Sequence, residues 1–324
     1  MHKNDHHNLA TPARLKQLEH RVGHLHLKQR LGIETARRAR IFGQGLTFLN
    51  IENWATMQSL IRSSLRLTLL YKRAQANVLE ITITHNTLPI YNLPEALNGF
   101  RVLHLSDPHL DIAPGMPQAL IERIKRVDYD LCVITGDYRA KTYGDHSAAM
   151  AGVQQVRPHI KSPVYSILGN HDTIMMTPGL EEMGIQLLMN EHAAIEHNGA
   201  TLWLAGIDDP HYFRADNIEK ACNAIPVEAP SILLSHTPEI YKQAAYADFD
   251  IMLCGHTHGG QICLPGGKPL YCNVTCPHSY CSGQWKYHHM VGYTSRGCGS
   301  SVVDARLNCP PEITIHHLCN TSSR

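Results

Sequence analysis

The sequence has no run of about 18 apolar residues, so no membrane-spanning helix is expected. Its opening stretch, "MHKNDHHNLATPARLKQ", lacks an apolar core, so no secretory leader is expected there. No internal repeat or low-complexity tract interrupts the 324 residues. Net charge is almost absent, at +1, and by itself points to no partner. The cysteines of "YCNVTCPHSYC" lack the paired C-x-x-C spacing of a zinc ribbon. A cytoplasmic address with reduced thiols is the resulting expectation, although ten cysteines are many for that compartment.

What is present fits a soluble chain with a sizeable core, 43% hydrophobic and 18% charged. The charge is unevenly placed. Residues 1–75 hold 13 Lys or Arg against 4 Asp or Glu, and the remainder holds 16 against 24. A basic front end on an acidic body suits either an arm that meets an anionic surface or a solvated helical face. Many of the 23 histidines lie in "MHKNDHH" and "EHRVGHLHLKQ", which read as a polar tail over residues 1–40. Residues 54–73 read as one amphipathic helix, with Trp54, Met57, Ile61 and Leu65 on one face and Arg62, Arg66 and Arg73 on the other. Such a helix can lie at the inner face of a membrane or dock on the body.

From residue 78 the texture changes. "NVLEITITHN" alternates as a strand does, and short apolar runs follow over 100–107, 130–137, 164–172, 201–209, 231–238 and 250–258. Runs of this length suit strands buried on both faces, and residues 116–127 and 238–246 read as covering helices. The expected class is α/β. Five of these runs end on Asp107 and His109, on Asp137, on Asn170 and His171, on His236, and on His256 and His258. Ligands of open α/β sheets bind beyond the carboxyl ends of strands, so these groups are expected to converge. Oxygen and imidazole donors without thiolate suit Mn, Fe, Zn or Co. Seven donors are too many for one catalytic ion, but suit two ions ~4 Å apart that share a carboxylate.

The motifs "DPH", "GD", "GNHD", "SHTP" and "GHTHGGQ", in this order over about residues 100–305, resemble those of the calcineurin-like metallophosphoesterases. The resemblance implies a four-layer αββα sandwich over residues 78–324, preceded by a basic helical extension over 1–77. It implies that Asp107, His109 and His258 hold a first metal, that Asn170, His236 and His256 hold a second, and that Asp137 bridges. His171 would serve as general acid and Asp172 would orient its ring. A metal-binding module without turnover is the bland alternative, though neither a ligand nor the "GNH" histidine is missing.

"GIDD", "LSHTPE" and "YTSRGCGSS" narrow the likeness to a bacterial branch of membrane-associated phosphodiesterases that includes UDP-diacylglucosamine hydrolases. The resemblance then implies a phosphodiester or pyrophosphate substrate, lipid-linked or a nucleotide-sugar, met at the membrane through residues 54–73. A soluble phosphatase of metabolites or phosphoproteins is the alternative, and no nucleic-acid partner is expected. Arg296 reads as a phosphate contact or a loop ion pair, and Asp208 and Asp209 as turn residues or supports of the ligands. Cys272, Cys276 and Cys281 read as idle thiols, a disulfide or a further metal site. Tyr280, Trp285 and Tyr287 read as contacts to an acyl chain or a base, or as loop filling.

Overall fold

The computed structural model describes residues 12–36 and 55–322. Four helices lead in: α1 (Pro12–Val22), α2 (His24–Ala36), α3 (Ala55–Leu67) and α4 (Tyr71–Ala76). Two six-stranded sheets follow, stacked face to face. The first runs in the order β1 (Thr82–Tyr91), β12 (Glu312–Thr321), β2 (Arg101–Leu105), β3 (Leu131–Ile134), β4 (Val164–Ser166), β5 (Ile185–Leu187). The second runs β10 (Gly283–Tyr287), β11 (Met290–Thr294), β9 (Ile251–Cys254), β8 (Ser231–Leu234), β7 (Ala200–Gly206), β6 (Glu191–His197). β2 to β5 are mutually parallel, as are β7, β8, β9 and β11.

Burial explains the short apolar runs. Every residue of β3, β8 and β9 is buried, because each of these strands has a sheet on one side and helices on the other. Val102, Val133, Leu204, Ile232 and Leu253 fill the space between the sheets. Leu103, Cys132 and Ile134 face outward onto α5 (Met116–Ile124) and α6 (Ser147–Val156). Leu233 and Met252 face the other way, onto Ala221 of α8 (Ile218–Cys222) and Ala244 of α9 (Tyr241–Tyr246). This is the expected four-layer order. β1 starts later than the sequence suggests, because residues 77–79 form a 3₁₀ turn.

The N-terminal segment departs from a polar tail. α1 and α2 break at Gly23, and Leu18, Val22 and Leu27 bury themselves in the core beside the first sheet. Arg21 donates to both carboxylate oxygens of Glu191, at 2.8 and 2.7 Å. Arg30 is wholly buried: it stacks 3.5 Å over the Phe213 ring and donates to the Asp172 carbonyl at 3.1 Å. His26 lies 2.6 Å from Asp208, and Glu34 accepts from the Thr173 hydroxyl (2.5 Å) and the Ile174 amide (3.0 Å).

The single helix expected over 54–73 is two helices, interrupted at Leu69, which has φ 58°. Its Ile61 and Leu65, with Leu70 and Ala74, pack on Val303, Ala305 and Leu307, so it docks on the body. Arg62 turns to Asp304 at 3.5 Å, while Arg66 lies 4.9 Å over the Tyr71 ring and stays exposed, so of these two only Arg66 keeps the expected outward place. Leu60, Leu67 and Leu69 stay 61%, 86% and 89% exposed. Trp54 and the side chain of Met57 lie outside the described residues.

Removing a fully buried guanidinium strands its carboxylate partner, whereas an exposed ion pair is worth little. Arg30→Ala is therefore expected to cost about 3–5 kcal/mol, and Arg14→Ala, whose pair with Glu182 is exposed, under ~1 kcal/mol. Urea unfolding of both variants checks the contrast; equal losses would refute it.

Candidate metal centre

All the donors read from the sequence gather at the shared carboxyl edge of the two sheets. Asp107 and His109 follow β2, Asp137 follows β3, Asn170 and His171 follow β4, His236 follows β8, and His256 and His258 follow β9. Three groups, Asp107–His109–His258, His109–Asp137–His171 and Asp137–His236–His256, each bring their ligand atoms within 4.8 Å of one another. All are buried.

Backbone carbonyls decide which ring nitrogen faces the centre. His109 Nδ1 donates to the Arg139 carbonyl at 2.7 Å, His171 Nδ1 to Ala140 at 2.8 Å, and His236 Nδ1 to Thr135 at 2.7 Å. His256 uses Nε2, on the Asn273 carbonyl at 3.1 Å. A neutral imidazole has one N–H, so the opposite nitrogen of each ring presents a bare lone pair to the interior. These lone pairs meet other acceptors. His236 Nε2 is 2.8 Å from Asn170 Oδ1 and 3.3 Å from Asp137 Oδ2, and His256 Nδ1 is 2.9 Å from the same Asn170 oxygen. His109 Nε2 lies 3.2 Å from His258 Nε2, and there the neutral His258 ring carries its proton, because Arg306 donates to its Nδ1. Only the contacts to Asn170 and Asp137 set acceptor against acceptor. Acceptor against acceptor in a buried space is unfavourable unless a cation or extra protons intervene. The residues therefore fit a divalent cation.

The same demand appears in the proton affinities. Burial opposes charge on His236, but Asp137, Asp107 and Asp209 outweigh it and hold its pKa well above the ordinary imidazole value. Burial would raise Asp137, yet His236 and His171 draw it well below the carboxylate range. The buried carboxylates thus favour positive charge at the centre.

The loops are strained to aim these groups. Asp107, His109, Asp137, His256 and His258 all have positive φ, from 38° to 69°. Such backbone costs on the order of 1–3 kcal/mol per residue and persists only where surroundings enforce it. Gly255 shows the crowding: a Cβ there would sit 1.8 Å from Ser106 Oγ. Only glycine lets the His256 amide reach the Asp107 carboxylate, at 3.0 and 3.1 Å.

Comparison with known proteins agrees with this geometry. The model of the Calcineurin-like phosphoesterase family matches residues 100–260. An uncharacterized metallophosphoesterase of Bacillus subtilis, YkoQ, is 30% identical over 268 residues, covering 77% of this chain and 94% of its own. The chain belongs to the calcineurin-like phosphoesterase family. That places it among metal-dependent phosphoric ester hydrolases. Phosphodiesterase YaeI of Escherichia coli is 29% identical over 230 residues, covering 68% of this chain and 82% of its own. A transmembrane protein with metallophosphoesterase domain from Danio rerio is 31% identical over 246 residues, covering 70% of this chain. The chain spans 55% of that relative's length. Among the described residues no helix is long and apolar enough to cross a membrane.

Around this phosphoesterase centre some residues take places other than those expected. Asp172 does not orient the His171 ring, whose Nδ1 is held by the Ala140 carbonyl. Its carboxylate accepts instead from the amides of Asp137 (2.7 Å), Tyr138 (2.9 Å) and Gly169 (3.0 Å), and so fixes the loop that carries Asp137. Of its two expected places Arg296 takes the loop ion pair, its Nε and Nη2 both donating to buried Glu312. Asp208 anchors α2 through His26, and Asp209 holds a turn through the amides of Tyr212 and Phe213, both at 2.7 Å.

Cys272, Cys276 and Cys281 are free thiols, and no cysteine joins a metal-holding group among the described residues. Trp285 stacks on Tyr280 at 4.4 Å and is buried in the core under α9, with Tyr241 edge-on to Tyr287 at 4.8 Å. Two groups escaped the sequence reading. His211, bonded to Glu239 at 2.9 Å, places its ring 4.5 Å from that of His256. Buried Arg306 lies with Nη2 2.8 Å from His258 Nδ1. Both come from loops with no motif to mark them.

Because Asp137, Asp107 and Asp209 favour a proton on His236 and an ion requires a lone pair there, manganese binding is expected to release protons. Calorimetry in buffers of different ionisation enthalpy measures it; a binding heat independent of buffer would contradict the assignment.

Proposed function

We propose that this chain is a dinuclear phosphodiesterase or pyrophosphatase acting on an amphiphilic phosphoester, lipid-linked or a nucleotide-sugar, at a membrane surface. The observation that carries the two-ion reading is the overlap of the ligand groups, in which His109 and Asp137 each belong to two of three. Asp107, His109 and His258 would hold one ion and Asn170, His236 and His256 the other, with Asp137 between. Two divalent ions, when bound, supply an activated water and positive charge against the phosphoryl oxygens, and manganese suits these oxygen and nitrogen donors.

The chain's own residues do the rest. The carbonyls of Thr135, Arg139, Ala140 and Asn273 fix the rings, so the ligands need no rearrangement as charge develops. His171 turns Nε2 inward, 3.8 Å from Asp137 Oδ2. A proton held on that nitrogen can pass to the departing oxygen.

The membrane part rests on exposed apolar side chains. Leu60, Leu67 and Leu69 are exposed, as are Leu264, Leu270 and Tyr271, and Ile262, two residues before Leu264, belongs to the cluster that holds Ile61. The names of two relatives, a phosphodiesterase and a transmembrane protein, support the reading.

Bis(p-nitrophenyl) phosphate with added manganese is expected to be hydrolysed. His171→Ala should lower kcat about 10²–10⁴-fold while manganese binding persists. A wild-type protein inert with Mn, Fe, Zn and Co would sink the enzyme reading. In flotation with anionic liposomes the wild type should rise with the lipid, and the triple variant Leu60→Ser, Leu67→Ser, Leu69→Ser should stay below. Equal recovery of the two with the soluble fraction would remove the membrane from the proposal.

A further inference from the structure

A chain of hydrogen bonds runs from β1 across β12 and β2 to a ligand carboxylate, through side chains the centre does not otherwise use. Its last link is Ser106, whose hydroxyl donates to Asp107 Oδ2. A hydroxyl has one proton, so Ser106 must accept from its other neighbour, and Thr135 Oγ1 donates to it at 2.7 Å. Thr135 has then committed its own proton and must accept as well. The group facing it at 2.9 Å is His104 Nε2, which therefore carries a proton.

A neutral imidazole has one N–H, so His104 Nδ1 is an acceptor. Facing it at 3.3 Å is His316 Nε2, which must be the donor. His316 Nδ1 is then an acceptor in turn, and takes an N–H of its cross-strand partner Asn86 at 3.1 Å. Every link points the same way, from Asn86 through His316, His104, Thr135 and Ser106 to Asp107.

The rings are suited to stay neutral. Both are wholly buried. Burial lowers His104 to about 4, with Glu312 opposing, and His316 falls well below the ordinary imidazole value through burial and its neighbours His104 and His317. Tyr293 packs its ring edge-on to His316, with centroids 4.7 Å apart.

We propose that His104 and His316 are positioning residues for the metal centre: fixed as neutral Nε2–H tautomers, they orient the Thr135 and Ser106 hydroxyls so that Ser106 donates to Oδ2 of Asp107. That leaves Oδ1, 3.6 Å from His258 Nε2 and sharing the His256 amide with Oδ2, to turn its other lone pair to the ion. Gly255 is part of the device, since any Cβ there would displace the Ser106 hydroxyl. The bonding pattern stands on the geometry alone; its effect on an ion rests on the function proposed above.

The tautomers are read directly from long-range ¹⁵N–¹H correlation spectra of the full chain at pH 7, with the two rings assigned through His104→Gln and His316→Gln. Both are expected as neutral Nε2–H imidazoles, and an Nδ1–H or cationic ring at either position overturns the proposal. Titration with manganese reads the consequence. His104→Phe is expected to weaken one manganese site about 10–100-fold. His104→Gln, whose amide N–H can reach Thr135, should return close to wild type. Thr135→Val, nearly isosteric, should reproduce the loss if the Phe variant fails to fold. Phe and Val variants that bind manganese like wild type overturn the positioning role. A wild type that binds no manganese overturns the metal-centre reading instead, and the spectra still decide the tautomers.

Discussion

One short segment, residues 135–140 after β3, governs the centre. It supplies Asp137, and its carbonyls at Thr135, Arg139 and Ala140 accept the N–H of His236, His109 and His171. Rings arriving from three different strands are thus given their tautomer and orientation by one stretch of backbone. The segment is itself clamped. The Asp172 carboxylate takes the amides of Asp137 and Tyr138, and the Arg139 guanidinium donates to the carbonyls of His171, Thr142 and Gly144. Displacing this segment would turn three lone pairs away from the interior at once, which is why its own hydrogen bonds are buried and numerous.

That rigidity also explains how the strain is sustained. Five ligands sit in left-handed backbone, which isolated loops would relax. They cannot relax here because the loops are packed against each other at backbone distance. A Cβ on Gly169 would fall 2.2 Å from Asp137 Oδ1, so the loop after β4 lies directly on the carboxylate from the loop after β3. The favourable terms are the amide-to-carboxylate bonds to Asp107 and Asp172, charge-assisted and shielded from water.

Much of this was legible in the sequence, for a definite reason. Parallel strands buried on both faces appear as short apolar runs, and their ends must lie on one edge, so the donors from Asp107 to His258 could be gathered on paper. The rest lay where sequence carries little signal. Carbonyl acceptors are the same for every residue, so nothing in "TGDYRA" announces that three of its neighbours' rings are fixed there. The roles of Asp172 and Arg296 depend on which partner lies nearest in space, a choice among carboxylates, amides and rings that spacing cannot rank. The edge strands β5, β6 and β10 lack a continuous apolar run, because each is covered on only part of its surface. "EHRVGHLHLKQ" reads as a tail because its apolar residues are few; two of them, Val22 and Leu27, nonetheless reach the core together with the preceding Leu18.

The uneven charge of the chain then takes on a different meaning. A basic front end suggested an external anionic surface, yet four of its described arginines find counter-charges within the molecule. Arg14 meets Glu182, Arg21 meets Glu181 and Glu191, Arg30 meets Asp208, and Arg62 meets Asp304. α2 in particular joins the loop of Asp172 and Thr173 to the loop of Asp208 and Phe213. The extension therefore braces two loops beside the centre, and these four arginines take part in seating it. On α3 and the turn after it, Leu60, Leu67 and Leu69 face outward beside exposed Ser63, Ser64, Arg66 and Thr68, so attachment of this face to another surface would draw on burial of leucine together with the charge of Arg66.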